Sequence, residues 1–174
     1  AESVITSPPD GDSRTTVAYG QFSRLSIEWL ELNDKDVDKE SMGGRPYPVK
    51  DVFFGCEELD TALETIKNKN ERRYKDVISY YTDLQKSINN VSKVIKNDGY
   101  ACYVIADRKV LGVTLPTHTA IKCFFEKNGF EHLHTFVRDI PNKRMPKLNS
   151  PSNVAGLKSE TMLKEYIVVM GKRR

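Results

Sequence analysis

The chain has 174 residues, 39% hydrophobic and 29% charged, with a formal net charge of +3. That length supports one domain with a real core, and the apolar and charged fractions read as a globular, soluble protein. No apolar run approaches the roughly 20 residues needed to cross a bilayer, and the polar opening with its Pro8-Pro9 pair does not read as a secretory signal, so no membrane and no leader are expected.

The charge is unevenly spread. From Arg138 onward there are nine Lys/Arg against three Asp/Glu, whereas residues 1–137 carry eighteen against twenty-one. A basic end on a slightly acidic body suits contact with a polyanion, or simply a solvated basic loop. Cys56, Cys102 and Cys123 are isolated and form no Cys-x-x-Cys pair. The apolar surroundings of Cys102 and Cys123 predict buried free thiols, which fits a reducing, cytoplasmic setting. His118, His132 and His134 have no metal-ligand spacing beside them, so no metal is expected.

In chain order, Val4-Ile5 reads as a short strand that stops at Thr6-Ser7-Pro8-Pro9-Asp10-Gly11. Pro-Asp-Gly is turn chemistry, with Gly11 expected at positive φ. A helix is predicted over 17–32, with Phe22, Leu25, Ile27, Trp29, Leu30 and Leu32 on its apolar face. Trp29 and Tyr80-Tyr81 read as core. Residues 33–60 look irregular, either a recognition insertion that includes Arg45 and Tyr47 or a structural excursion. Helical pattern resumes near Asp60, and Val77, Ile78, Tyr81, Leu84, Ile88, Val91 and Ile95 continue it as one long amphipathic helix stopped at Asn97-Asp98-Gly99.

Residues 100–106 are nearly continuous apolar and read as a strand buried on both faces. A helix over 117–128, closed by Gly129, follows. Strands are predicted over 131–137 and 164–171, with a Pro- and Asn-rich loop at 139–160. The long helices between the early strands imply parallel crossovers, and the last two strands pair antiparallel. The fold class is therefore α/β, with 1–174 as a single domain.

An α/β sheet that binds a nucleotide-like cofactor carries a glycine-rich turn from strand to helix. Gly43-Gly44 and Gly112 do not occupy such a place. The first strand also has little lead-in and would be a bare edge, a liability unless something pairs with it. It is expected to pair with a segment or chain outside this sequence.

The strand ending in Thr6-Ser7-Pro8-Pro9, together with "VSKVIKNDGYACYVIADR", "PTHTAIKCFFEKNGFE" and "LKEYIVVMGK", resembles the catalytic half of the amino-group DNA methyltransferases. The resemblance covers about 1–30 and 77–174. It implies the C-terminal half of a class I S-adenosylmethionine-dependent, Rossmann-like sheet. The family's catalytic motif is (Asp/Asn/Ser)-Pro-Pro-(Tyr/Phe), at the end of the fourth strand of seven. Ser7-Pro8-Pro9 matches it and is similar to the form typical of cytosine-N4 enzymes, with adenine-N6 still open. Asp10 departs from it.

The resemblance also implies a mechanism. A base in a duplex must be flipped out to be reached. The Ser7 hydroxyl and the Pro8 carbonyl would accept the N–H bonds of its exocyclic amine, and the prolines would hold that carbonyl in place. The family's last motif position stacks an aromatic ring on the base. Asp10 cannot stack, and a desolvated carboxylate there costs free energy. Three readings stay open: a disabling substitution, a DNA-binding pseudo-enzyme, or a ring supplied by Tyr19 or Tyr47.

Thr6, Ser7 and Pro8 would face S-adenosylmethionine, with the rest of the cofactor site on the absent half, whether a removed segment or a second subunit. Arg14 is a candidate for phosphate or base contact beside Asp12, Ser13 and Thr15-Thr16, where Ser13 or Thr15 could instead cap a helix. Lys143, Arg144, Lys147 and Asn149 are candidate DNA contacts, duplex DNA being the implied partner. Arg72-Arg73, Lys67 and Lys69 read as solvated surface, and His118 as a cap or surface residue. A catalytically silent DNA-binding subunit and an RNA methyltransferase are the alternatives. RNA enzymes usually add a module that reads single strands or the 2′-hydroxyl, and none is visible here.

Overall fold

The structure is a computed structural model, and it describes residues 1–174 apart from 14, 17–18, 33–35, 47, 49–50, 141–147, 150–158, 161–163 and 174. Its centre is a four-stranded sheet in the order β1 (Ser3–Thr6), β2 (Tyr100–Ile105), β8 (Lys164–Lys172) and β5 (Phe130–Asp139). β1 runs parallel to β2, with Ile5 beside Cys102. β8 lies antiparallel to both β2 and β5. A hairpin of β3 (Arg108–Val110) and β4 (Val113–Leu115) lies between β2 and the helix that starts at Thr117. A two-residue pair, β6 (Leu148–Asn149) and β7 (Ser159–Glu160), lies between β5 and β8 in the chain. The fold class is α/β, and the last two long strands pair antiparallel as the sequence implies.

Five helices are described: α1 (Tyr19–Trp29), α2 (Val37–Glu40), α3 (Glu57–Lys69), α4 (Glu71–Val94) and α5 (Thr117–Glu126). The single long helix of the sequence reading is two. Asn70 is extended, at φ −163° and ψ 106°, and its side chain accepts the Arg73 N–H to cap α4. Helical spacing continues across the break because both helices bury their apolar stripes in the same core, so periodicity alone does not reveal the break. α5 ends where expected, with Gly129 at φ 80°. That left-handed geometry is one glycine adopts without strain.

One face of the sheet is covered. Ala101, Tyr103, Ile105, Val168 and Met170 share a single core with Leu59, Leu63 and Ile66 of α3, Ile78, Tyr81, Leu84 and Ile88 of α4, and Ile121, Phe124 and Phe125 of α5. The other face is bare of any described helix. It carries Ile5, Cys102, Val104, Ile167, Val169 and Phe136, with Ile5 76% exposed. β2 is thus buried on one face, where burial on both was expected. Among the described residues nothing pairs with the outer edge of β1.

α1 departs from expectation in the same way. It has no buried residue, and Trp29, read as core, is 88% exposed. Periodicity shows that a helix has an apolar face, not what covers it. The cysteines also differ: Cys56 and Cys123 form a disulfide between the segment leading into α3 and the outer part of α5. Cys102 is free but only half-buried, on the bare face. Sixty-seven residues separate the bridged pair, so chain spacing gave no sign of it.

Candidate active site

β1 and β2 run parallel and end at the same side of the sheet, where Thr6-Ser7-Pro8-Pro9 leaves β1 and Ala106-Asp107 leaves β2. Ser7 is exposed, while Thr6, Pro8, Pro9 and Asp10 are half-buried. Among the described residues, neither the Ser7 hydroxyl nor the Pro8 carbonyl has a hydrogen-bond partner. Thr6 to Asp10 therefore sit together at a strand end, with Ser7 the most exposed.

The next residues are fixed from behind. The Tyr80 hydroxyl donates to the Pro9 carbonyl at 2.7 Å. The Ala106 N–H donates to Asp10 Oδ1 at 3.0 Å, so Asp10 bridges the ends of β1 and β2. Burial pushes the Asp10 carboxyl above its usual range, and the Ala106 N–H only partly opposes this. Asp10 is a strut between two strand ends. Tyr19, one of the rings considered in its place, is 44% exposed at the start of α1, and Tyr47 lies outside the described residues.

Asp12 is the electrostatic centre of the loop and is only 1% exposed. It accepts from Arg108 Nη1 at 3.0 Å and from the Thr15 hydroxyl at 2.7 Å, with Arg73 Nη2 3.8 Å away. Arg108 Nη2 in turn donates to Thr15 Oγ1 at 2.7 Å, and Arg73 Nη1 to Asp76 at 2.7 Å. Arg73 is thus half-buried in this network and not the solvated surface residue expected. A buried carboxylate needs such partners, because an unpaired one is very costly. Gly11 is required for space and not for φ: a Cβ there would stand 2.2 Å from Arg108 Nη1, and its φ is not positive.

The segment around α2 braces the same loop. Ser13 Oγ donates to the Asp38 carbonyl at 2.7 Å and Ser13 N–H to the Met42 carbonyl at 3.1 Å. Asp38 also accepts the Gly20 N–H at 2.8 Å. Ser13 and Thr15 therefore bond the α2 segment and Asp12. The described part of 33–60 contains α2 and the start of α3.

A second cluster stands beside the loop. Asp107 receives the His118 backbone N–H at 3.2 Å and lies 2.8 Å from His118 Nδ1. The His118 ring stacks on Tyr166 at 4.0 Å, tilted by 8°. Arg14, Lys143, Arg144 and Lys147 lie outside the described residues, and Asn149 is described only as backbone in β6. A cleft of about 590 Å³ lies elsewhere, between residues 51–57 and α3.

Tyr80, Asp12, Arg73 and Arg108 were not identified as a site from sequence. Their only signal was an aspartate just after the motif, whose basic partners lie as far as 96 residues away.

No protein-family model matches the chain. The structure is similar to the DNA modification methylase TTHA0409 of Thermus thermophilus, with a TM-score of 0.47 and 16% identity, covering 100% of this chain and 47% of that one. The form of that protein complexed with S-adenosyl-L-methionine matches 55% of this chain and 38% of its own, with a TM-score of 0.40 and 20% identity. No described helix is long and apolar enough to cross a membrane. The type II methyltransferase M.MvaI of Kocuria varians is 42% identical over 96% of this chain, which spans 39% of that relative's length. The chain is thus homologous along nearly its whole length to part of a type II methyltransferase, and this homology supports a DNA methyltransferase family.

Proposed function

We propose that this chain is the catalytic part of a site-specific DNA methyltransferase of a restriction–modification system, acting in the cytoplasm on the exocyclic amine of a flipped base, cytosine-N4 before adenine-N6. The observation that carries it is Ser7-Pro8-Pro9 at the carboxyl end of β1, in a chain 42% identical to a type II methyltransferase. Open α/β sheets bind ligands outside the carboxyl ends of their strands. The exposed Ser7 hydroxyl and the Pro8 carbonyl accept the two amine N–H bonds, which draws the nitrogen toward a tetrahedral shape with a free lone pair. The network behind the loop holds those acceptors before the base arrives.

S-adenosyl-L-methionine, when bound, supplies the electrophilic methyl group. Thr6, Ser7 and Pro8 fit one wall of its site, being half-buried or exposed at an unpaired strand edge. They fit no more than one wall, since the sequence has no glycine-rich turn after a strand. The bare edge of β1 and the bare face behind it are completed by a further segment or a second subunit that holds the rest of the cofactor. Duplex DNA approaches over the 139–160 loop, with Arg14, Lys143, Arg144, Lys147 and Asn149 as its contacts.

Asp10 supports a second reading, a catalytically silent DNA-binding subunit, because it offers a strut where a stacking ring is expected. One experiment separates the two. The chain replaces its matching stretch in M.MvaI, with Asp10 or with Asp10→Tyr, and DNA treated with labelled methyl donor is digested and its nucleosides weighed. N4-methylcytosine from the Asp10 protein supports the main reading. Methylation only after Asp10→Tyr supports an enzyme disabled by Asp10 over a silent DNA-binding subunit. No methylated base from either overturns the enzyme reading.

A further inference from the structure

Tyr80 sits in the middle of α4 and is 3% exposed. A buried hydroxyl is costly unless it is bonded, and this one has its partner in the Pro9 carbonyl at 2.7 Å. Desolvation holds the phenol well above its ordinary pKa, so it remains a donor at every working pH. The ring packs edge-on against Tyr81 at 5.0 Å, within the core. The donor is therefore mounted on a rigid helix.

Its acceptor belongs to the second proline of the motif. Proline rings fix φ at both Pro8 and Pro9. Once the Pro9 carbonyl is held by Tyr80, and the next residue by Ala106, the peptide between the prolines has little freedom left. That peptide contains the Pro8 carbonyl. We propose that Tyr80 is a positioning residue for methyl transfer: its hydroxyl, by holding the Pro9 carbonyl, aims the Pro8 carbonyl and Ser7 at the reacting amine. The inference rests on the methyltransferase reading above and adds to it a residue outside the Ser-Pro-Pro motif.

The test is Tyr80→Phe in the same M.MvaI exchange protein, in whichever background methylates, Asp10 or Asp10→Tyr. Tyr80→Phe keeps the ring and removes only the donor. The expected result is a fall in kcat of roughly tenfold to a hundredfold, the scale of a small misplacement of reacting groups. KM for DNA and for the methyl donor should stay within about twofold, since binding contacts are untouched. Tyr81→Phe is the control for stability: it removes a buried hydroxyl whose hydrogen-bond partner is Thr117 Oγ1 of α5, at 2.9 Å, and not the Pro9 carbonyl. It should lower the melting temperature at least as much and leave kcat unchanged. Equal kcat for Tyr80→Phe and its parent overturns the proposal alone, as does an equal loss in both variants. A parent silent in both backgrounds overturns the methyltransferase reading, and this proposal with it.

Discussion

The two faces of the sheet are built from similar residues and have opposite fates. Tyr103, Ile105, Val168 and Met170 face α4 and α5 and are at most 2% exposed. Ile5, Cys102, Val104 and Phe136 face no described helix, and α1 leaves Phe22, Leu25 and Trp29 exposed. Apolar composition says that a surface gains from being covered; it does not say by what. One face is finished within this chain, while the other face and the β1 edge have the character of an interface.

Substitutions can test that contrast. Phe124→Ala, on the finished side, should cost about 3–5 kcal/mol of stability by urea denaturation. A loss under about 1 kcal/mol would mean that the core is looser than its packing indicates. Asp12→Ala should cost about 3 kcal/mol, since it leaves Arg108 without its carboxylate and frees the loop. Tyr81→Phe should cost about 1 kcal/mol, the usual worth of one hydrogen bond. Trp29→Ser, on the unfinished side, should change the stability of this chain by no more than about 0.5 kcal/mol. In a longer or two-chain assembly the same change should cost more.

Asp10 adds a pH dependence. Its folded pKa is raised above the ordinary value of 3.8. Folding therefore favours the protonated form, and stability from this group is lost as pH rises from the unfolded value through the folded one. Asp10→Asn keeps an acceptor for the Ala106 N–H without the charge. Urea midpoints should favour the Asn variant near neutral pH and converge with the parent in acid below pH 3.8. A constant difference across that range would mean that burial does not set the Asp10 pKa.

Much of the architecture was legible in the residues. The β-rich run at 100–106 and the alternation near 131–137 located β2 and β5 of the main sheet, and helical spacing with Gly129 located α5. The lost information was relational. Asp12 and Arg108 are 96 residues apart and meet because two strand ends coincide. The Asn70 break leaves the apolar period intact. The motif itself was readable from Ser7-Pro8-Pro9, but Asp10 carries no local sign that its partner is a backbone N–H at the end of another strand.

Amide hydrogen exchange along β1, Ser3 to Thr6, tests the central claim most directly. It should be measured on this chain alone and again with the remainder of M.MvaI added as a separate segment. A strand open on its outer edge should leave alternate amides unprotected, and these should become protected when the segment binds. Exchange unchanged by the segment, or outer amides already protected in the chain alone, would contradict the account of β1 as an unfinished edge beside the catalytic loop.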